Sequence, residues 1–132
     1  MIGTLTRLTP HVLSLLRIAS ALLLMQHGTT KVLGFPATQM SGVSLTSMPG
    51  IAGIIELVGG ALLLIGLFSR PTAFILSGMT AVAYFLVHAP KDFYPLVNGG
   101  ELAALYCFVF FYLTFAGPGP WSVDAMRGTE PR

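Results

Sequence analysis

An all-α membrane protein, with four helices crossing the bilayer as one antiparallel bundle and both termini in the cytoplasm, is the fold class this sequence predicts. Three observations predict it. Of the 132 residues, 54% are apolar and only 9% charged, against about 25% charged in a typical soluble domain, and mean hydropathy is +0.78. Four apolar stretches approach the roughly 20 residues needed to cross a hydrocarbon core of about 30 Å. Within them the few polar side chains recur every three or four residues, so each stretch has one face for protein and one for lipid.

The length suits one membrane domain, 1–132. The first span is expected over 11–33. Arg17 interrupts it and "MQHGTTK" offers no cleavage pattern, so it is read as retained rather than as a signal peptide. The second is expected over 50–68, with Glu56 its one charge, and the third over 71–88, with none. Residues 102–116 alone would rise only about 23 Å, so the fourth span is drawn over 98–116 and takes in Glu101.

"SRP" at 69–71 is expected to be a tight turn, with Arg70 held out of helix by the proline after it and Pro71 opening the third span. "GPGP" at 117–120 should stop the fourth helix, leaving Trp121 at an interface. The long connection "GFPATQMSGVSLTSMPG" is too polar to span. With Phe35, Met40, Leu45 and Met48 it is too apolar to be fully wet, and it is expected to lie over the bundle mouth.

Lys/Arg distribution sets the orientation. Arg7, Arg70, Arg127 and Arg132 share one side and Lys31 and Lys91 the other, which puts both termini inside. The basic residues form no cluster, so nucleic acid is not an expected partner. Cys107 is the single cysteine, which excludes an internal disulfide and a Cys-x-x-Cys site.

Arg17, Ser20, Leu24, His27 and Lys31 fall on one face of the first span, and Gly53, Glu56, Gly60 and Leu63 on one face of the second. Ser77, Ala81, Tyr84 and His88 align on the third, and Glu101, Leu105, Phe108 and Tyr112 on the fourth. With alternating helix direction, His27, Lys31, Glu56, His88 and Glu101 come to one depth near the outer face, and Lys31 with Glu56 is the expected pair. Ionisable groups inside a bilayer cost about 2.5–3.5 kcal/mol each on insertion scales and mark ligand, ion or proton sites by default. These five are the candidate ligand-binding residues, with Tyr84, Tyr112 and Phe108 in support. No catalytic residue is assigned. The ligand types would suit zinc, iron or copper, but no helix carries His-x-x-x-His or Glu-x-x-His, so no metal site is assigned either. A quinone headgroup suits the set better. It is planar, sits at this depth, and wants a donor at each carbonyl with an acid nearby.

The stretches "HGTTKVLGF" (27–35), "ELVGGALLLIGLFSRPTA" (56–73), "AYFLVHAPKDFY" (83–94), "NGGE" (98–101) and "GPGPWSVD" (117–124) resemble, in order, the DoxX family of small bacterial membrane proteins. The resemblance implies a four-helix bundle in the bacterial inner membrane and a place in redox or sulfur metabolism, since the family takes its name from a subunit of a thiosulfate:quinone oxidoreductase. His27, Lys31, Glu56, His88 and Glu101 are its family-like polar positions. The expected function is that of a membrane subunit in a quinone-linked redox system. It would have no redox centre of its own, bind a quinone or small ligand, and rely on a partner protein for electrons; at most it would be an accessory part of an oxidoreductase. A structural or assembly module, whose ionic cluster only fixes helix packing, is the alternative, and a small transporter or metal site the outlying one. Gly59, Gly60, Ala61, Gly66 and Gly78 offer small-residue patches that would suit a homo-oligomer.

Overall fold

The computed structural model describes residues 1–132 as an all-helical chain with no strand. Helix α1 is Ile2–Leu33, α2 Met48–Ile65 and α3 Ser69–Ala83, which runs on through a π-helical turn at Tyr84–His88. A short α4 (Pro95–Asn98) precedes α5 (Glu101–Ala116), and a short α6 (Val123–Met126) ends the chain. Three of these are long and apolar enough to cross a membrane: α1, α2, and α3 together with its π-helical turn. Helix α5 is apolar but shorter, rising about 24 Å at ~1.5 Å per residue.

Local chemistry fixes the boundaries. Helix α1 starts at Ile2 rather than near His11 and carries Pro10 within it. It ends where Gly34 turns left-handed at φ 74° and donates its N–H back to Thr29 O, a conformation glycine adopts without a Cβ penalty. Ser47 caps α2, its hydroxyl accepting from Gly50 N at 3.2 Å, with Pro49 in the first turn.

The turn expected at 69–71 lies at 66–68 instead, and Ser69 and Arg70 are helical. The cause is distant in sequence. Asp124 accepts from Phe68 N at 3.0 Å and Ser69 N at 2.9 Å, supplying a cap that starts the helix before its proline.

The start of the fourth span also differs. Gly99 turns left-handed at φ 75° and separates α4 from α5, so Asn98 ends α4 and α5 begins at Glu101. Asn98 makes that turn: its amide nitrogen donates to Tyr84 Oη at 3.2 Å and Asp92 O at 3.0 Å, and its amide oxygen accepts from Gly100 N at 2.7 Å.

Helix α1 packs along α2 and α3 along α5, the pairs joined chiefly through α2 and α3. Ala21, Leu24, Leu63, Ala73, Leu76, Tyr106, Phe110 and Leu113 form the core between them. The predicted faces of the first two helices are the buried ones: Arg17, Ser20 and Leu24 on α1, and Gly53, Glu56, Gly60 and Leu63 on α2.

The face expected on α5 is not. Glu101, Leu105, Phe108 and Tyr112 are exposed, while Tyr106, Phe110 and Leu113 point inward. Helix α5 is apolar nearly all round, so no contrast along it marks the inner face. Anchoring the phase on Glu101 rotates the assignment away from the core.

The segment after α5 folds back against the end of the bundle where α2 meets α3. Arg17, only 1% exposed, donates from Nη2 to Trp121 O at 2.6 Å and Leu64 O at 3.4 Å, and from Nη1 to Pro118 O. Ser14 Oγ joins this by donating to Pro118 O at 3.3 Å and accepting from Trp121 N at 3.1 Å. Arg17 is thus solvated by carbonyls. Arg70 closes the same end by holding both carboxylate oxygens of Glu130, at 2.5 and 2.9 Å.

Candidate functional site

The polar feature of the other end is built by close approach of α1 and α2. A Cβ added at Gly28 would lie 2.6 Å from Leu57 N and 2.8 Å from Gly53 O; one at Gly53 would lie 2.8 Å from Lys31 Cβ. These glycines let the backbones meet and bring Lys31, near the end of α1, over Glu56 in the first half of α2. Lys31 Nζ donates to Glu56 Oε1 at 2.8 Å. The expected pair is therefore present.

The pair leaves polar atoms over. Glu56 Oε2 and Tyr106 Oη are both buried and have no hydrogen-bond partner, on residues that are each 6% exposed. His27 lies edge-on to Tyr106, ring centroids 6.3 Å apart, and both side chains are within electrostatic reach of Glu56. Tyr106 in turn stacks on Phe110, ring centroids 5.4 Å apart and nearly parallel at 6°. The site thus consists of a cation, an anion with one free oxygen, a phenol and an imidazole, on α1, α2 and α5. Such a set can bind a small molecule through hydrogen bonds and hold or move a proton between Glu56, His27 and the ligand.

The remaining sequence candidates go elsewhere. His88 Nδ1 donates to Asn98 O at 3.2 Å and, beside Tyr84 at a ring distance of 6.4 Å, closes the α3–α5 turn. Glu101 is exposed at the start of α5 and joins no ion pair. Phe108 and Tyr112, 72% and 54% exposed, face away from the core. No group of three or more His, Cys, Asp or Glu side chains gathers as a metal-holding set.

The connection between α1 and α2 covers this end. Thr30, buried beside Lys31, donates its hydroxyl to Pro36 O at 2.5 Å and meets Thr38 Oγ1 at 2.8 Å and Ser41 Oγ at 3.2 Å. At the far end of the connection, a Cβ on Gly50 would lie 2.1 Å from Ser44 O and 2.7 Å from Leu45 Cα, so the chain is pressed against the first turn of α2. Sequence reasoning missed Thr30, Gly28 and Tyr106. The spacing Tyr106, Phe110, Leu113 is a helical stripe with one hydroxyl in it, which is the signal that could have found it.

Fold and site together define a small helical membrane protein with an ion pair and unsatisfied polar atoms buried among its helices. The family model described as DoxX matches residues 12–89, more than half of the sequence. A Haemophilus influenzae protein described as "Uncharacterized protein" is 42% identical over 127 residues, covering 92% of this chain and 95% of the relative. The chain belongs to the DoxX family. No solved structure matches it.

Proposed function

We propose that this DoxX-family chain is the membrane-embedded member of a quinone-linked redox system and holds a quinone-class headgroup among His27, Lys31, Glu56 and Tyr106. The observation that carries the reading is the leftover hydrogen-bonding capacity of Glu56 Oε2 and Tyr106 Oη. Buried polar groups are nearly always paired, and an unmade hydrogen bond costs about 1–3 kcal/mol, more for a charged group. A ring bearing oxygens fits this donor and acceptor set. With a single cysteine the chain has no internal dithiol to cycle, so a redox partner protein works beside it.

In this reading α5 is the fourth crossing and both termini lie in the cytoplasm of a bacterium, in its inner membrane. The site then opens toward the outer face. A second copy would meet this one over α3, since Gly59 and Gly60 face Leu76 and Met25 internally while Gly78 faces open space.

Saturable binding of a decyl-chain benzoquinone or its quinol to the purified full chain in nanodiscs is the expected result. It should be weakened by Tyr106→Phe and by His27→Ala and left intact by His88→Ala. If neither redox form bound, the reading would fail. Lys31–Glu56 would then be a packing device, which its 2.8 Å bond between two close-set helices already supports as the second reading.

A further inference from the structure

We infer that the Glu56–Tyr106 site selects the reduced, hydroxyl-bearing form of its ligand, a quinol, over the oxidised quinone. The inference rests on the function proposed above and concerns which atoms the site leaves free.

Glu56 presents two oxygens. Oε1 is taken by Lys31 at 2.8 Å, while Oε2 is buried and bare. An ionised carboxylate oxygen only accepts hydrogen bonds. Tyr106 Oη is the second bare atom, and a phenol can donate. A group that completes both must accept from Tyr106 and donate to Glu56. A hydroxyl is a group that can play both parts.

A quinone carbonyl only accepts. Against Glu56 Oε2 it would set lone pair facing lone pair and leave the buried anion unsatisfied, even if it drew a second N–H from Lys31 or the phenol of Tyr106. Protonating Glu56 would supply a donor, but it would strip Lys31 of its counter-charge in a site where both side chains are largely buried. A phosphate or carboxylate headgroup is an acceptor too, and Glu56 would repel it. A quinol supplies the donor that Glu56 Oε2 lacks and an acceptor for Tyr106 Oη, with the ion pair intact. A hydrogen bond to a charged group converts to about tenfold or more in affinity.

The test is an anaerobic titration of the full chain in nanodiscs with three probes of one shape: decyl-1,4-benzoquinone, its quinol, and the dimethyl ether of that quinol. The wild-type chain is expected to bind the quinol about tenfold more tightly than the quinone. The dimethyl ether, which keeps the aromatic ring but has no O–H, should bind as weakly as the quinone. Glu56→Gln should abolish the preference, because an amide can donate to a carbonyl as readily as it accepts from a hydroxyl. Tyr106→Phe should weaken both redox forms alike. Quinone binding equal to or tighter than quinol binding in the wild-type chain overturns the inference and leaves the proposed site standing. Binding by none of the probes overturns both. The wild-type comparison decides the matter even if Glu56→Gln fails to fold.

Discussion

Lys31 and Glu56 together stabilise the end of the α1–α2 pair only as a pair. Removing one partner leaves a buried charge alone, at about 3–5 kcal/mol, whereas replacing both with apolar residues of similar size is often neutral. Lys31→Met should therefore lower the thermal unfolding midpoint in detergent markedly, and Lys31→Met combined with Glu56→Leu should recover most of the loss. Tyr106→Phe is expected to behave differently. The hydroxyl has no partner in the fold, so its removal should leave the midpoint unchanged or slightly higher while weakening ligand binding. A midpoint that fell with Tyr106→Phe would mean that the phenol serves packing. The ion pair was legible in the sequence because two charges in apolar runs have few places to go. Tyr106 was not, because a tyrosine among phenylalanines and leucines carries no contrast.

Among the helices, α1 and α2 announce their inner faces and α5 does not. On α2 the glycines and the single acid stand out from isoleucine and leucine, and the residues so marked, Gly53, Glu56, Gly60 and Leu63, are the buried ones. On α5 the inner face is Tyr106, Phe110 and Leu113 and the outer includes Phe108, Phe111 and Phe115, so both sides are apolar. Only the partner helices decide between them. Close approach at Gly28 gives a direct check. A methyl group there would run into backbone atoms of α2, which cannot swing aside, so Gly28→Ala should cost about 1–3 kcal/mol or more. Gly78→Ala, in the interior of α3 with no other atom of the chain near it, should be neutral or gain up to about 1 kcal/mol from helix propensity in the monomer. Parallel thermal melts of the two variants separate packing from propensity. Gly50→Ala should lift the covering connection off α2, which hydrogen exchange over residues 41–47 would register as faster exchange.

At the scale of the whole molecule, the opposite end is tied by residues that no local pattern links. Asp124 is the centre of this closure. Burial alone would push its carboxyl up, but the N–H groups of Ser69 and Phe68, with Arg127 nearby, outweigh that and hold it below its ordinary value of 3.8. A lowered folded value means that its contribution is full above the ordinary range and is lost as pH falls through the lowered value. Thermal stability should therefore drop as pH is taken from about 5 to below the ordinary carboxylate value, and Asp124→Ala should remove that part of the pH dependence. At neutral pH the same substitution should cost about 1–3 kcal/mol. None of this could be inferred from the glycines and prolines of 117–120, which signal only that a helix stops. That the freed carbonyls would turn back to solvate Arg17 is a tertiary fact with no signature in either segment.

The separation of 101 positions between Arg17 and Pro118 gives that closure an order in time. A ribosome feeding this chain into a bilayer delivers the guanidinium long before the carbonyls that will receive it have been synthesised. Until then the first helix carries an unmet cation, at a cost that only the later segment relieves. A chain cut after Ala116 should therefore be less stable in a bilayer than the full chain, even though every long helix is present.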